Sequence, residues 1–261
     1  MHNPFSLPLW PYPRWVAHRG AGTLAPENTL AALRVGAGYG YRMFECDVKI
    51  SADGIPFLMH DTSLERSTNA RALFGLDASA VGGDHSWGKL SLLDAGSWHS
   101  RTFAGEPLAT LQAAAAFCKH NAYLLNIEIK PTPGAEFRTG VVVAEHAAHL
   151  WRGQTVLPLL SSFAPPALQA AMETAPAMPR ALLLKKESTD WLRVARELGC
   201  CAIVCQHTLW SQDTVTQARN AGFRTMSYTV NDIQVARRLL ELGLDSIITD
   251  RVDLFSPAQS L

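Results

Sequence analysis

The stretch WVAHRGAGTLAPENTLAALRVGAGY, residues 15–39, contains one complete change from strand to helix. Its first residues are apolar and predict a short buried strand, Trp15–His18. In its second half, apolar residues recur with helical spacing and predict a helix over Thr29–Tyr39. His18 ends the strand, and Arg19 and two glycines follow it before the helix. These two polar side chains at the end of a strand belong either to a functional site or only to a turn.

The rest of the chain repeats this change from strand to helix. Seven further strands are predicted at Met43–Ile50, Leu124–Lys130, Val156–Ser161, Arg180–Leu184, Cys201–Cys205, Arg224–Val230 and Ser246–Thr249. Six further helices are predicted at Leu111–His120, Glu136–Trp151, Pro165–Thr174, Thr189–Leu198, Ser211–Ala221 and Asp232–Leu242. Strands separated by helices form parallel βαβ units, and eight such strands favour an α/β fold closed into a (β/α)8 TIM barrel. An open doubly wound sheet ranks lower, because the loop after the first strand lacks the third glycine of a dinucleotide-binding fingerprint.

The composition fits a single barrel domain over residues 1–261. The chain has 261 residues and 48% of them are apolar, which is enough for a packed core. Basic and acidic residues balance at 23 each, so nothing points to nucleic acid or a stable membrane association. The proline-broken first residues predict no signal peptide and a surface wrap, and five unpatterned cysteines fit a reducing compartment. The predicted location is cytoplasmic.

One connection departs from the alternation of strands and helices. Asp53-Gly54 is a tight-turn signal after the second strand, and Ile55–His60 predicts a returning extended segment. An insertion follows at about residues 61–109, rich in glycine, serine and tryptophan. Long insertions in compact domains tend to serve function.

Charged residues alternate on two of the predicted strands. Residues i and i+2 of a strand face the same side, so Glu45 shares a face with Asp47, and Glu128 with Lys130. In a barrel, this face points into the mouth at the carboxyl ends of the strands. Three carboxylates converging there need a cation, and oxygen ligands suit Mg²⁺ or Ca²⁺. A salt-bridge network through Lys130 and Arg19 is the structural alternative, but two such pairs beside two histidines favour the metal.

A divalent cation beside Arg19, Lys130 and two imidazoles makes a site for an anionic oxygen ester. Arginine and lysine hold phosphate oxygens, and the cation neutralises charge that develops on phosphorus. His18 and His60 would supply the acid and the base. In the loop after the first strand, Glu27 is expected to orient Arg19, and Asn28 to cap the helix.

Seven segments of the chain resemble the glycerophosphodiester phosphodiesterase family. They are HRGAGTLAPENTLAAL, FECDVKISADGIPFLMHDTSLERST, LLDAGSW, LLNIEIK, SSF, YTVND and IITD, in order from His18 to Asp250. The combination of HRG, PENT, E-x-D, HD-x2-L-x-R-x-T and E-x-K is highly specific, although no single piece is. The resemblance implies a (β/α)8 barrel with a small insertion after strand two. It also implies hydrolysis of a glycerophosphodiester to sn-glycerol 3-phosphate and an alcohol.

The resemblance also implies roles for individual residues. It makes His18 and His60 the catalytic pair, and it makes Arg19 and Lys130 ligands of the substrate phosphate. It makes three carboxylates the ligands of one divalent cation, namely Glu45, Asp47 and Glu128. The cation is Mg²⁺ or Ca²⁺, and Mn²⁺ is also compatible. Two aromatic residues fall where the family has pocket aromatics, namely Phe163 and Tyr228; the family usually has tryptophan at the second position.

Three other functions stay open at the level of sequence. A lysophospholipase D or phospholipase D-like activity would use the same site on a lipid substrate. A barrel that binds phosphodiesters without turnover would keep the same residues. A Schiff-base lysine at Lys130 would leave the carboxylates and histidines unexplained. The sequence does not decide the headgroup, the acid and base roles of the two histidines, or whether water or a glycerol hydroxyl is the nucleophile.

Overall fold

The strands of the protein form one closed sheet. The computed structural model describes residues 7, 9–75 and 78–258, and within them nine strands are present. They are β1 (Trp15–Ala17), β2 (Met43–Ile50), β3 (Pro56–Leu58), β4 (Leu124–Ile129), β5 (Leu159–Ser162), β6 (Arg180–Leu184), β7 (Ala202–Gln206), β8 (Arg224–Tyr228) and β9 (Ser246–Thr249). Eight of them match the predicted strands within a few residues, and β3 is the returning segment. His18 lies in a 3-10 turn after β1 rather than in the strand.

Pairing of the first strand with the last closes the barrel. β1 pairs in parallel with β9 on one side and with β2 on the other. The remaining neighbours of the eight-stranded ring are also parallel, from β2–β4 round to β8–β9. The predicted (β/α)8 barrel is therefore confirmed, and the open doubly wound sheet is excluded.

Helices connect the parallel strands. In the described residues they are α1 (Leu30–Gly38), α2 (Ala70–Phe74), α3 (Trp87–Leu90), α4 (Leu111–His120), α5 (Glu136–Leu150), α6 (Pro165–Thr174), α7 (Trp191–Glu197), α8 (Gln212–Asn220) and α9 (Ile233–Glu241). Thr29 caps α1, because its hydroxyl accepts a hydrogen bond from the Ala32 backbone nitrogen at 3.1 Å. The expectation that Asn28 caps this helix is wrong.

Side chains inside the barrel change from apolar to polar along its axis. An apolar cluster includes the inward residues Val16, Met43, Leu159, Ala181, Leu183, Ala202, Val204, Met226 and Ile248. Farther along β2 and β4, the same inward face carries charged residues. The alternate residues Cys46, Val48, Ile127 and Ile129 belong to the larger apolar core that the helices share, as the strand period predicts. The apolar end is a packed floor, and chemistry is confined to the carboxyl end.

Part of the N-terminal arm closes the amino end of the barrel. Trp10 and Tyr12 pack against the interior apolar cluster. The Trp10 indole donates to the Ser246 hydroxyl at 3.1 Å, and the Tyr12 hydroxyl donates to the Leu157 carbonyl at 2.9 Å. The expected surface wrap is therefore wrong for these two residues. Residues 1–6 and 8 lie outside the described residues.

The connection between β2 and β4 folds as the turn signal predicts. Gly54 has a φ of +83° in the turn, and β3 returns antiparallel to β2 with Val48 opposite Leu58. The following segment contains α2 and α3 and packs on an apolar cluster of its own, made of Phe57, Met59, Leu64, Ala70, Leu90, Leu93, Ala95 and Leu108. Residues 76 and 77 of the insertion lie outside the described residues.

The five cysteines all fall in the described residues and are free thiols. In the described ranges, every helix is too short or too polar to cross a bilayer.

Candidate active site

An open cavity of about 770 Å³ lies at the carboxyl ends of the barrel strands. Much of its lining comes from β1, β4, β5 and β8 and from the loops that follow these strands. Seven of the predicted site residues line it or reach it, namely His18, Arg19, His60, Glu128, Lys130, Phe163 and Tyr228. The other two, Glu45 and Asp47, lie on the same inward face but are only 2% and 1% exposed. The structure thus brings all nine residues to one end of the barrel.

Three carboxylates form a compact group at the base of this cavity. In the register of β2 and β4, Asp47 lies opposite Glu128, and Glu45 lies two residues before Asp47 on the same face. One oxygen of each of the three lies within 4.8 Å of the others. Oxygen donors at this spacing are the ligand set that Mg²⁺ and Ca²⁺ prefer.

The charges of this group are poorly balanced by the protein alone. Burial, and then the charge of Asp47, raise the pKa of Glu45 to about 8 and that of Glu128 to about 7. Burial would also raise the pKa of Asp47, but the charges of Lys130 and Arg19 outweigh it and lower that pKa. One oxygen of Glu45, Oε1, is buried and has no hydrogen-bond partner among the described residues. An orphaned oxygen beside two other carboxylates fits a bound divalent cation.

His18 is oriented by a carboxylate that directly follows the last strand, β9. Its Nδ1 donates to Asp250 Oδ1 at 2.6 Å, and Asn231 in turn donates to the other Asp250 oxygen at 2.8 Å. Its Nε2 lies 3.7 Å from Glu45 Oε2. Burial alone would lower the pKa of His18, but the hydrogen bond with Asp250 and the charge of Glu45 raise it.

His60 is oriented in the same way by the residue that follows it. Its Nδ1 donates to Asp61 Oδ1 at 2.7 Å. Burial lowers the pKa of His60, and the charges of Arg19 and Lys130 add to this, while the charge of Asp47 opposes it. Because a carboxylate engages Nδ1 in both histidines, each neutral ring keeps its proton there and has Nε2 free for proton transfer.

Arg19 and Lys130 lie next to the carboxylate group. Arg19 takes a left-handed backbone conformation, with φ of 50°, and its backbone nitrogen donates to Glu45 Oε2 at 3.0 Å. Its guanidinium donates to Glu27 at 3.0 Å, so the expectation that Glu27 orients Arg19 is confirmed. The Nε atom of Arg19 lies 3.3 Å from Asp47. Lys130 Nζ lies 2.6 Å from Glu128 and 3.4 Å from Asp47. Both cations therefore lie beside the predicted metal ligands.

The two predicted aromatic residues form one wall of the cavity. The rings of Phe163 and Tyr228 meet edge to face with centroids 5.6 Å apart. Lys130 Nζ lies 5.5 Å from the centre of the Phe163 ring. The Tyr228 hydroxyl donates to the Leu184 carbonyl at 3.1 Å, which holds that ring in place.

Sequence reasoning missed three residues of the site. Asn28 donates to Asp47 Oδ2 at 2.9 Å and accepts from the Asp47 backbone nitrogen at 3.0 Å, so it fixes a predicted metal ligand. Lys49 lies one inward position beyond Asp47 and donates to the Lys130 carbonyl at 3.1 Å. Asp250 orients His18. The period of two on β2 could have identified Lys49. The motifs PENT and IITD contain Asn28 and Asp250, but the contacts of these two residues join distant parts of the chain, so the motifs do not indicate their partners.

Gly22 brings the loop after β1 against the end of β9. Its φ is +57°, and a Cβ there would lie 2.1 Å from the Asp250 carbonyl oxygen. We expect Gly22→Ala to cost about 1–3 kcal/mol in the free energy of unfolding, as overpacked sites do, and to lower turnover by displacing Asp250. Urea unfolding of Gly22→Ala and Gly38→Ala measures this, because a Cβ at Gly38 meets nothing within 4 Å. Equal stability of the two variants would contradict the expectation.

Known proteins resemble the chain over nearly its whole length. The sequence profile of the Glycerophosphoryl diester phosphodiesterase family matches residues 18–254. A glycerophosphodiester phosphodiesterase of Bacillus subtilis is 27% identical over 257 residues, which are 92% of this chain and 84% of that protein. The human glycerophosphoinositol inositolphosphodiesterase is 50% identical over 110 residues, and this match spans only 20% of its length.

A solved structure shares the fold and contains a bound product. It is a phosphodiesterase of Oleispira antarctica in complex with the product sn-glycerol-3-phosphate. The TM-score is 0.84 and the sequence identity 29%, over 95% of this chain and 98% of that one. A glycerophosphodiester phosphodiesterase of Agrobacterium tumefaciens has a TM-score of 0.74 at 27% identity, over 94% of this chain and 99% of that one.

Proposed function

The chain belongs to the glycerophosphoryl diester phosphodiesterase family, and we propose that it hydrolyses glycerophosphodiesters to sn-glycerol 3-phosphate and an alcohol. One observation carries the proposal. Two histidines, each fixed at Nδ1 by a carboxylate, stand beside one buried group of three carboxylates with two cations next to it. This arrangement offers proton donors and acceptors together with binding groups for a phosphate. A Schiff-base role for Lys130 has no comparable support.

Glu45, Asp47 and Glu128 would hold one divalent cation, Mg²⁺, Ca²⁺ or Mn²⁺. When bound, such a cation supplies Lewis-acid stabilisation of the negative charge on the reacting phosphate. The unpartnered Glu45 oxygen and the raised pKa values of the two glutamates support this assignment.

The side chains of the protein perform the remaining steps. Arg19 and Lys130 bind the phosphate and orient it at the base of the cavity. One histidine accepts, at Nε2, the proton of the nucleophile as its oxygen bonds to phosphorus. The other donates a proton from Nε2 to the departing alkoxide oxygen as the second P–O bond breaks. Phe163 and Tyr228 would contact an organic substituent of the phosphate.

Turnover of simple diesters tests the proposal directly. The purified protein is stripped with a chelator, supplied with Mg²⁺, Ca²⁺ or Mn²⁺, and incubated with glycerophosphocholine, glycerophosphoinositol or glycerophosphoglycerol. Release of glycerol 3-phosphate is followed with a coupled dehydrogenase. Metal-dependent release is expected. No release from any diester, with a lysophospholipid cleaved instead, would replace the proposal with a lysophospholipase D-like activity.

The charges of the cavity give an expectation about the headgroup. Among the described residues, its lining includes Arg19, Lys130 and Lys185 but only one carboxylate, Glu128, which is a proposed metal ligand. The ammonium group of Lys130 also lies over the Phe163 ring, on the aromatic face that a quaternary ammonium would need. We therefore expect kcat/KM to be higher for glycerophosphoinositol or glycerophosphoglycerol than for glycerophosphocholine.

Two adjacent lysines provide a controlled test of that preference. Lys185 lines the catalytic cavity, whereas Lys186 lines a separate groove. Lys185→Glu is expected to shift the preference toward choline about five-fold, since one exposed charge interaction contributes about 1 kcal/mol. Lys186→Glu is the matched control for net charge. An equal shift in both variants, or a wild-type preference for choline, would contradict the expectation.

The cytoplasmic location of the protein stays a prediction from the sequence, and so does its single domain over residues 1–261 with an insertion at about 61–109.

A further inference from the structure

Two family-like motifs lie in the insertion after β3 or at its start, and the proposed chemistry uses only His60 from them. The segment from His60 to Thr68 reads HD-x2-L-x-R-x-T, and LLDAGSW ends at Trp98. None of the described residues that line the catalytic cavity comes from positions 61–109. Within the insertion, Asp61 contacts His60 directly, and Arg66 is connected to the site through Asp61 and Glu27.

Arg66 binds two carboxylates from different parts of the chain. Its Nε donates to Asp61 Oδ2. Its two terminal nitrogens donate to Glu27, at 2.9 Å to Oε2 and at 2.6 Å to Oε1. Glu27 belongs to the loop between β1 and α1, and Asp61 follows the β2–β3 hairpin. A planar guanidinium can satisfy both at once because its donors form a fixed fork.

Each of these carboxylates also holds a residue of the site. Asp61 accepts the Nδ1 proton of His60 at 2.7 Å. Glu27 accepts from the Arg19 guanidinium at 3.0 Å, through the same Oε1 that Arg66 contacts. Arg66 is therefore the middle of one continuous chain of contacts, His60–Asp61–Arg66–Glu27–Arg19.

The insertion supports Arg66 from its exposed side. The Arg66 guanidinium lies over the Trp98 ring, 5.6 Å from its centre. Trp98 is fixed by a hydrogen bond from its indole to the Ala95 carbonyl at 2.8 Å. The neighbouring turn is held by Asp94, which accepts from the backbone nitrogens of Gly96, Ser97 and Gly105 at 2.8–2.9 Å. A rigid turn therefore presents an aromatic face to the cation.

The value of these contacts lies in orientation rather than in stability. The Arg66 side chain is 44% exposed, and ion pairs at that exposure add little to the free energy of unfolding. Mutating a residue that orients a substrate-contacting group affects activity more than stability. For the related case of residues that orient metal ligands, the loss of activity is typically 10–100-fold. Arg66 also holds the pKa of Asp61 at about 2, so this carboxylate stays ionised as the acceptor for His60.

We propose that Arg66 is a positioning residue that fixes His60 and Arg19 relative to each other through Asp61 and Glu27, and that the insertion serves the reaction by supporting it through Trp98. The proposal rests on the proposed function, because it assigns His60 and Arg19 to catalysis and phosphate binding. It gives the L-x-R-x-T and LLDAGSW motifs one shared role.

Arg66→Ala is expected to lower kcat/KM about 10–100-fold, the range for a residue behind a functional group. Arg71→Ala is the matched control, since Arg71 is an exposed arginine of the same insertion whose ion pair with Glu65 is 3.8 Å long. Both variants are expected to have melting temperatures only slightly below that of the wild type, and lowered by similar amounts.

Millimolar guanidinium ion is expected to restore part of the activity of Arg66→Ala, and none in His60→Ala. Arg66→Lys is expected to fall between, because an ammonium group cannot bind both carboxylates in the same geometry.

A double variant separates positioning from a general effect on folding. In an Asp61→Asn background, Arg66→Ala is expected to cost less activity than in the wild type, because one of its two routes is already broken. Wild-type kinetics in Arg66→Ala would overturn the proposal. So would a loss of activity in Arg66→Ala that guanidinium does not rescue and that is fully additive, in free energy, with the loss caused by Asp61→Asn. If the wild type releases no glycerol 3-phosphate from any diester, the proposed function fails first, and that result is distinct from both.

Discussion

Asp47→Asn is expected to lower kcat about 10³-fold or more and to weaken the binding of Mg²⁺ or Ca²⁺. Asp47 is the most buried of the three carboxylates, at 1% exposure, and its oxygens lie 3.4 Å from Lys130 and 3.3 Å from Arg19. A Lewis-acid cation supplies several kcal/mol of transition-state stabilisation, and each ~1.4 kcal/mol is a factor of ten in rate. Asparagine also loses the second charged oxygen with which Asn28 is paired at 2.9 Å.

Metal binding is measured separately from turnover. A ligand that binds the folded state alone stabilises it by about 2.7 kcal/mol at a hundred times its Kd, so the wild type is expected to melt higher when Mg²⁺ or Ca²⁺ is added. Asp47→Asn is expected to lose most of this increase. In the presence of a chelator it is expected to melt lower than the wild type, because the ionised Asp47 pairs with Lys130 and Arg19, which lower its pKa. Asp213→Asn, at an exposed position on α8, is the control for a simple change of charge. An unchanged metal-induced shift in Asp47→Asn would remove this residue from the ligand set.

His18→Ala and His60→Ala are each expected to lower kcat about 10²–10⁴-fold, the usual range for general acid–base catalysis. The reason is the shared geometry of the two rings, each fixed at Nδ1 by a carboxylate at 2.6 Å or 2.7 Å, with Nε2 left free. KM is expected to change much less, since Arg19 and Lys130 remain in place to bind the phosphate.

Asp250→Asn and His149→Gln make the test of the histidines specific. Asp250→Asn keeps the His18 ring but weakens the acceptor of its Nδ1 proton, so a smaller loss than that of His18→Ala is expected. His149→Gln, at an exposed position on α5, is expected to keep wild-type turnover. If both alanine variants turn over at the wild-type rate, the histidines are not the acid and base. If only one does, the pair is reduced to a single proton-transfer residue.

Much of the site could be predicted because it depends on short-range periodicity. The period of two on β2 and β4 placed Glu45, Asp47 and Glu128 on one face, and the parallel βαβ order placed the ends of those strands at one end of the barrel. The turn at Asp53-Gly54 placed His60 at the end of a returning strand. These inferences need only local geometry and one topological rule.

Other features could not be predicted because they join parts of the chain that lie far apart. Asn28 has cap-like chemistry in the sequence, yet it is paired with Asp47 in the structure, and the neighbouring Thr29 caps α1. The segment with Trp10 and Tyr12 is expected from the sequence to be a surface arm. In the structure these two residues pack on the apolar cluster inside the barrel, at the amino ends of its strands.

The sequence by itself determined the barrel, the inward charged faces and the membership of the family. Strand period, helix period and each motif are local properties of the chain, and their order along it supplied the rest. Only the tertiary structure decided which carboxylate orients which histidine and how Arg66 joins His60 to Arg19. Those contacts connect positions as far apart as 18 and 250, or 27 and 66, and they exist only once the closed barrel has brought the ends of its strands together. A hydrogen bond of about 3 Å forms only when donor and acceptor are placed and aimed correctly in three dimensions. A local pattern in the sequence does not specify that placement.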